Sequence, residues 1–255
     1  MALMRAEKSG LAAWQFPHLT SFAGLRHAVF TRQGGYSQGP YASLNTSFAC
    51  GDHPDSVARN RIRIARWAGL TAPVYLTQVH GDAVLALKND AASGKDSPAM
   101  ADAVVTNVRN RLLVIQVADC QAVLLFDPVR HVAANVHSGW RGSAKNILAK
   151  TVVVMTNVFG CRPADIRAGI APSLGPCCAE FINYRQELPS GFWRYKDRRD
   201  CFDFWGISQD QLMAAGLRAD HITNSGICTR CHQELFFSYR ACRRTGRFAV
   251  VIGLT

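Results

Sequence analysis

The sequence lacks several patterns that would assign it to a protein class at once. It has no run of about 18 apolar residues, the length that a membrane-spanning helix needs. Its N-terminus has no apolar stretch typical of a signal peptide, and neither internal repeats nor heptads occur along the chain. These absences argue against a membrane span and a repeat architecture, and they predict a cytoplasmic protein.

Acidic residues are scarce. The chain has 18 Asp and Glu against 29 Lys and Arg, which gives a formal net charge of +11. An excess of this size suggests anionic ligands such as phosphate, although a basic exterior without a ligand would give the same number. The basic residues are scattered, with no dense aromatic-interleaved tract, no zinc-finger signature and no helix-turn-helix signature. We therefore expect no nucleic-acid partner.

The composition and the order of elements predict the fold class. With 255 residues and 48% hydrophobic side chains, the chain can bury a sizeable core. Strand-like segments outnumber helical ones and the two are interspersed without a linker, which predicts a mixed α/β fold of layered sheets flanked by helices. We expect a single domain over residues 1–255, in which residues 1–20 could be loosely ordered. The nine cysteines lack a disulfide-framework spacing and are expected to be mostly free.

Helix signals occur at three places, each with candidate ends. We predict a helix over 52–70 capped by Asp55 or Ser56 and ended by Gly69, a helix over 143–160 begun by Gly142 or Ser143 and ended by Gly160, and a helix over 207–217 capped by Ser208. The segment 236–254 is expected to form two strands joined by a polar turn.

Three residues with metal-binding side chains lie at strand ends. Asp119-Cys120 interrupts the apolar stretch "VIQVADCQAVLLFDP", His137 ends the strand in "VAANVHSGWRG", and His80 ends "TQVHG". Zinc binds imidazole and thiolate, and a catalytic zinc has three protein ligands and one open position. The long spacings between His80, Cys120 and His137 fit an open site better than a closed structural one.

Other interpretations of these residues remain open. Cys120 could be a thiolate nucleophile with His137 as its base, or all three could be core or hydrogen-bonded residues. Asp119 could orient a ligand, act as acid or base, or simply occupy a turn. Arg141 lies between Gly139 and Gly142 just before a predicted helix, which suits an anion site, but a solvated Arg on a Gly-rich turn would look the same.

Two further cysteine patterns have several explanations. Cys228-x-x-Cys231-His232 has the spacing of a c-type haem attachment site, which would require export. A structural zinc, a redox pair or bystander thiols are the other possibilities. Cys177 and Cys178 are adjacent, and on a strand they would point in opposite directions, so we expect joint chelation by them to be strained.

Several motifs in one order resemble a known family. "ADCQAVLLFD", "VHSGWRGS", "APSLGPCCAEF" and "ELFFSYRACRRTGRFAVVIGL", with "TQVHG" upstream, are similar to the YfiH/YlmD family, also called the laccase-domain or multicopper polyphenol oxidase family, whose human relative is FAMIN. The resemblance covers nearly the whole chain. It departs from the family's usual residues at Ser138, Ala179 and Cys242, which affects pocket polarity and substrate choice more than metal binding.

The resemblance implies a fold, a metal and an activity. The fold is that of a bacterial toxin deamidase, the metal is zinc rather than copper, and the reaction is phosphorolysis of adenosine, guanosine, inosine and methylthioadenosine with accompanying adenosine deamination. Partners are then purine nucleosides and inorganic phosphate, and a monomer or weak dimer is expected. The matching positions are His80, Cys120 and His137 as metal ligands and, with Asp119, as catalytic residues, and Asn45, Arg61, Arg141, Ser238, Tyr239 and Arg240 as pocket residues.

Two other activities compete with phosphorolysis. A cytoplasmic peptidoglycan-editing hydrolase would use Cys120 as nucleophile and His137 as base. A copper polyphenol oxidase is disfavoured, because the chain has only eight histidines and no His-x-His pair for several copper ions.

Overall fold

The computed structural model describes residues 3–88 and 98–255, so most of the predicted polar loop at 88–100 lies outside the described residues. The described residues form twelve strands and six α-helices. In chain order these are β1 Met4–Lys8, β2 Leu11–Gln15, α1 Pro17–Thr20, β3 Leu25–Phe30, α2 Pro54–Ala68, β4 Ala72–Tyr75, β5 Val84–Leu87, β6 Ala103–Thr106, β7 Arg111–Val117, β8 Gln121–Asp127, β9 Val132–Ser138, α3 Trp140–Ala144, α4 Ile147–Phe159, β10 Arg167–Ile170, α5 Tyr184–Glu187, α6 Phe204–Ala214, β11 Ile222–Asn224 and β12 Phe248–Leu254.

Two mixed six-stranded sheets pack face to face. The first sheet has the order β1-β2-β3-β12-β7-β4 and the second has the order β11-β10-β8-β9-β6-β5. Along β8, Leu124 and Phe126 join the core between the sheets, whereas Val123 and Leu125 face outward into a second core. Burial on both faces explains why this strand is a continuous apolar run in the sequence.

Helices cover the outer faces of both sheets. Ile64 and Trp67 of α2 pack on the first sheet, and Leu148 and Val152 of α4, with Leu212 of α6, pack on the second. The result is a four-layer arrangement of helix, sheet, sheet and helix, which confirms the predicted mixed α/β single domain of layered sheets. None of the helices in the described ranges has the length and apolar character needed to cross a bilayer.

The predicted helix over 143–160 is two helices. Asn146 adopts a φ of 55°, which ends α3, and its side chain accepts a hydrogen bond from the N–H of Ala149 at the start of α4. α3 begins at Trp140, earlier than the predicted Gly142 or Ser143. The predicted end at Gly160 is confirmed, because this residue adopts the left-handed conformation at a φ of 71°.

The helix caps also differ from the expectation. α2 begins at Pro54, a residue suited to the first helical position, so Asp55 and Ser56 lie inside the first turn. Its end at Gly69 is confirmed. Asp203 caps α6 instead of Ser208, whose buried hydroxyl donates to Gln121.

The two ends of the chain differ from the sequence-based expectation as well. Within residues 1–20, which could have been loosely ordered, the described residues form β1, β2 and α1, and Phe16 and Leu19 are fully buried in the core. The first of the two strands expected in 236–254 is absent from the described structure, where 236–247 form a loop anchored by buried Phe236 and Phe237.

One buried polar side chain joins the two sheets. Asn135 lies on β9, on the face directed at the first sheet, and is fully buried. Its Nδ2 donates to the carbonyl oxygens of Leu113 on β7 at 3.0 Å and Val250 on β12 at 2.9 Å. Because such bonds form only in one alignment of the sheets, Asn135 fixes how β9 lies across the first sheet.

We predict that Asn135→Ala lowers the free energy of unfolding by about 1–3 kcal/mol, because two carbonyl oxygens lose a donor in a dry interface. Urea denaturation followed by circular dichroism would measure the change. Asn157→Ala on the exposed side of α4 is the matched control, and we expect it to stay within about 0.5 kcal/mol of the parent. Equal effects of the two substitutions would contradict the role given to Asn135.

Candidate metal centre

The structure brings together the three residues that the sequence singled out. His80 lies in a turn after β4, Cys120 immediately precedes β8, and His137 lies near the end of β9. β8 and β9 are antiparallel neighbours in which Ala122 pairs with His137, so this register sets Cys120 beside the imidazole. One ligand atom from each residue lies within 4.8 Å of the others. Two imidazoles and a thiolate therefore converge as a three-donor site.

A buried carboxylate organises this site, and the sequence analysis missed it. Asp102 Oδ1 lies 2.7 Å from His137 Nδ1 and accepts the N–H of His80 at 3.0 Å, while Oδ2 accepts the N–H of Gly81 at 2.7 Å. An ionised carboxylate only accepts hydrogen bonds, so Nδ1 of His137 carries the proton and Nε2 is the nitrogen left for a metal. The sequence did offer one indication of this role: Asp102 is a charged residue directly before the apolar strand "AVVT".

Gly139 leaves the space that the donors occupy. A Cβ atom at this position would lie 3.1 Å from the Sγ of Cys120 and 3.1 Å from the Cδ2 of His80. A methyl group would press on two of the three donors at once. A glycine in "HSGW" therefore lets these two side chains approach the backbone closely, and a larger residue would displace them by a few tenths of an ångström.

The charges of Cys120 and His137 stabilise each other. Burial acts to raise the pKa of the Cys120 thiol, but the positive charge of His137 and hydrogen bonds from His137 and His80 outweigh it and bring the pKa to about 6. Burial acts to lower the pKa of His137, but the thiolate and the hydrogen bond to Asp102 raise it to about 9. Cys120 is therefore a thiolate near neutral pH, the form that binds metals or attacks electrophiles.

Two cavities meet at the donors: His80 and Cys120 line both of them, and His137 lines the second. The first, here called the tryptophan chamber, has a volume of about 450 Å³, and the second, the arginine chamber, has about 640 Å³. His80, Cys120 and Tyr239 border both chambers. The tryptophan chamber is also lined by Trp140, Arg141, Leu174, Glu180, Phe181, Glu187 and Arg240. The arginine chamber is also lined by Ser47, Arg61, Tyr75, Gln78, Gln116 and Arg247.

Four of the predicted pocket residues line these chambers. Arg61 borders the arginine chamber, where its Nε donates to the carbonyl of Thr46 at 2.8 Å and its guanidinium lies 3.7 Å from the ring centre of Tyr75. Arg141 and Arg240 border the tryptophan chamber, and Tyr239 borders both.

Asn45 and Ser238 do not line either chamber. The amide of Asn45 is fully buried, donates to Asp52 at 2.8 Å and accepts the N–H of Arg247 at 2.8 Å. The hydroxyl of Ser238 accepts the N–H of Ala241 at 3.2 Å. Both side chains shape the loops of the chamber walls and do not face the cavity.

Asp119 holds two loops beside the centre. It adopts a φ of 84°, its Oδ1 accepts the hydroxyl of Thr229 at 2.7 Å, and its Oδ2 accepts the N–H of Arg240 at 2.5 Å. Both oxygens are engaged by the protein, so this geometry favours positioning over proton transfer.

Arg247 is a chamber residue that the sequence analysis did not select. It lines the arginine chamber, and its guanidinium lies 5.6 Å from the ring centre of Tyr239. Arg247 directly precedes β12. Because binding residues are often on the loops next to strands, its position could have suggested a role in the pocket.

Comparison with known proteins assigns the family. A family model described as "Multi-copper polyphenol oxidoreductase laccase" matches residues 26–255. The chain belongs to this family. Within this laccase-domain family it is 34% identical to a protein named purine nucleoside phosphorylase YlmD from Geobacillus stearothermophilus, over 91% of each chain. It is also 34% identical to purine nucleoside phosphorylase YfiH from Escherichia coli, over 91% of this chain and 94% of that one.

Solved structures of the same family share the fold. The crystal structure of the hypothetical protein YfiH from Bacillus licheniformis superimposes with a TM-score of 0.88 at 28% identity, over 98% of this chain and 99% of that chain. The YfiH/YlmD resemblance noted in the motifs is thereby confirmed at the level of fold and family.

We predict that Asp102→Asn weakens metal binding by roughly 10- to 100-fold, the range typical for partners of a metal-ligating histidine. Asparagine keeps the shape but loses the charge that holds the proton on His137 Nδ1. Competition with a chromophoric chelator would measure the affinity.

Asp127→Asn is the matched control, because Asp127 is equally buried and accepts two backbone N–H groups in a turn remote from the donors. Its metal affinity should equal that of the parent. If both variants bind metal as the parent does, Asp102 does not support the centre.

Proposed function

We propose that the chain is a zinc-dependent purine nucleoside phosphorylase. Its substrates would be adenosine, guanosine, inosine and methylthioadenosine, and adenosine deamination would accompany phosphorolysis. The observation that carries this proposal is a cationic chamber and an aromatic chamber that meet at His80 and Cys120 of the three-donor centre. The names of the similar YlmD and YfiH proteins support the reaction class.

The donor set fits zinc. Two imidazoles and one thiolate, with one position open, match the ligands of a catalytic zinc, and the Asp102 carboxylate supplies the outer hydrogen bond expected behind a histidine ligand. When bound, zinc would act as a Lewis acid that polarises an oxygen or lowers the pKa of water. We therefore assign His80, Cys120 and His137 as its ligands.

The arginine chamber suits phosphate. Arg61 and Arg247 line it, and none of its described lining residues is Asp or Glu. Arg61 is already held by Thr46 and by the Tyr75 ring, so little reorganisation is needed when an anion binds. Arg141, expected from the sequence to suit an anion, borders the other chamber together with Arg240, so we assign both to the nucleoside.

The tryptophan chamber suits the nucleoside. Trp140, Phe181 and Tyr239 offer ring faces for a purine. Glu180 and Glu187 add acceptors, and Arg240 is fixed by its bond to the Glu180 carbonyl at 2.7 Å.

Both chambers meet at Cys120, so the two substrates would approach each other there. A phosphate oxygen would then bond to the anomeric carbon as the bond from that carbon to the base nitrogen breaks. The base takes up a proton as it leaves, and the second product is ribose 1-phosphate, or its 5-methylthio analogue when methylthioadenosine is the substrate. What the chain contributes is the binding, orientation and charge neutralisation of the two reactants.

A peptidoglycan-editing hydrolase is the second candidate, supported by one observation. Cys120, His137 and Asp102 have the arrangement of a thiolate nucleophile, its base and an orienting carboxylate. Such an enzyme would keep its activity after zinc is removed. A multicopper oxidase has less support, since the described three-donor centre gathers only two of the eight histidines.

We predict phosphate-dependent release of free base from inosine or adenosine by protein of measured zinc content. Arg61→Ala should raise the KM for phosphate by roughly ten- to one hundred-fold, because charge-assisted hydrogen bonds contribute about 1.5–3 kcal/mol, and should change the KM for nucleoside much less. Arg66→Ala, an exposed arginine on the same helix, is the matched control and should leave both values unchanged.

Two results would contradict the proposal. One is base release that does not depend on phosphate, and the other is full activity after zinc is stripped and Cys120 remains intact. Hydrolysis of muropeptides by the zinc-free protein would instead support the hydrolase.

A further inference from the structure

Four cysteine thiols converge at a second place, away from the three-donor centre. Cys177 and Cys178 follow β10, whereas Cys228 and Cys231 follow β11. β10 and β11 are parallel neighbours, so the segments after them leave the same edge of the second sheet. One sulfur from each of the four residues lies within 4.8 Å of the others.

Adjacent cysteines can face one site here because they are not on a strand. Cys177 and Cys178 lie in a tight turn, in which the N–H of Cys178 donates to the carbonyl of Gly175 at 2.9 Å. The expectation that joint chelation by the two would be strained assumed a strand, and it does not hold for this turn. The N–H of Gly175 in turn donates to the Sγ of buried Cys228 at 3.3 Å, which connects the two segments.

The sulfur separations match a shared metal ion. The Sγ of Cys231 lies 3.6 Å from the Sγ of Cys177 and 3.6 Å from the Sγ of Cys178. A disulfide needs about 2.05 Å, whereas thiolates bound to one tetrahedral zinc at about 2.3 Å lie roughly 3.8 Å apart. All nine cysteines of the chain are free thiols.

We propose that Cys177, Cys178, Cys228 and Cys231 bind a structural zinc ion. Four thiolates with a Cys-x-x-Cys pair are the donor set of a closed structural site. Such a site has a net charge of about −2. Arg194, Lys196 and Arg199 line the shallow surface cavity beside Cys177, where each is paired with an aspartate. The proposal does not depend on phosphorolysis or on a metal at the three-donor centre.

This zinc would fix part of the chamber wall. On one segment the N–H of Leu174 donates to the carbonyl of Asp119 at 2.9 Å, and on the other the hydroxyl of Thr229 donates to its carboxylate at 2.7 Å. Asp119 directly precedes Cys120, and Leu174 lines the tryptophan chamber. Joining the two segments through one ion therefore holds both supports of Asp119 in place.

Metal content separates the two sites. We expect Cys228→Ser/Cys231→Ser to contain one zinc ion fewer per chain than the parent, and His80→Ala/Cys120→Ala to keep at least one, measured by mass spectrometry of the metal in desalted protein. Cys242→Ser is the matched control, since Cys242 is an exposed thiol outside the cluster, and it should keep the zinc content of the parent. A parent with a single zinc that is lost in His80→Ala/Cys120→Ala would overturn the proposal.

A labelling experiment on the unmodified chain avoids variants that fail to fold. Cys177, Cys231 and Cys242 are all exposed, but zinc-bound thiolates should react slowly with iodoacetamide until a chelator is added. We expect Cys242 to be labelled first and Cys177 and Cys231 only after chelation. Equal labelling of the three before chelation would overturn the site, as would an intact mass lower by two hydrogens, which indicates a disulfide.

Discussion

The rest of the site depends on the buried carboxylate of Asp102. It binds the ring of His137 on one strand and two backbone N–H groups of the turn that carries His80. The same group therefore sets the tautomer of one donor and the position of another. In the metal-free centre it also stabilises positive charge on His137, which keeps Cys120 ionised in a buried setting, and a bound metal would displace the proton on Nε2. Removing this carboxylate would affect all three donors, although it is not one of them.

The layered fold explains why the donors meet. The register of β8 and β9 sets Cys120 beside His137, and Asn135, two residues earlier on β9, bonds to both β7 and β12 of the opposite sheet. The alignment of the two sheets and the position of the metal donors are thus fixed by the same strand. The loop before β12 contributes to both chambers, and the chambers differ in charge because Glu180 and Glu187 line only the tryptophan chamber. Arg247 precedes β12 of the first sheet, whereas Trp140 follows β9 of the second.

The three metal donors and the long buried strands could be predicted from residue types and from the positions where apolar runs end. His80, Cys120 and His137 were visible because each polar residue interrupts or ends an apolar run, and the long buried strands were visible for the same reason. Asp102 was missed because its role depends on contacts 22 and 35 positions away in the sequence. The break between α3 and α4 at Asn146 was missed because a single residue with positive φ does not change the spacing of apolar residues along the sequence. The convergence of Cys177 and Cys178 with Cys228 and Cys231 depends on the pairing of β10 with β11, which local pattern cannot reveal.

In the proposed enzyme, phosphate and a purine nucleoside meet at a zinc ion between the two chambers. The most direct test is a crystal structure of the zinc-loaded protein with inosine and sulfate as an unreactive phosphate mimic, recorded at the zinc absorption edge. We predict anomalous density between His80, Cys120 and His137, sulfate on Arg61 and Arg247, and the purine against Phe181. Metal density elsewhere with none at these three residues, or the purine lodged beside Arg61, would contradict it.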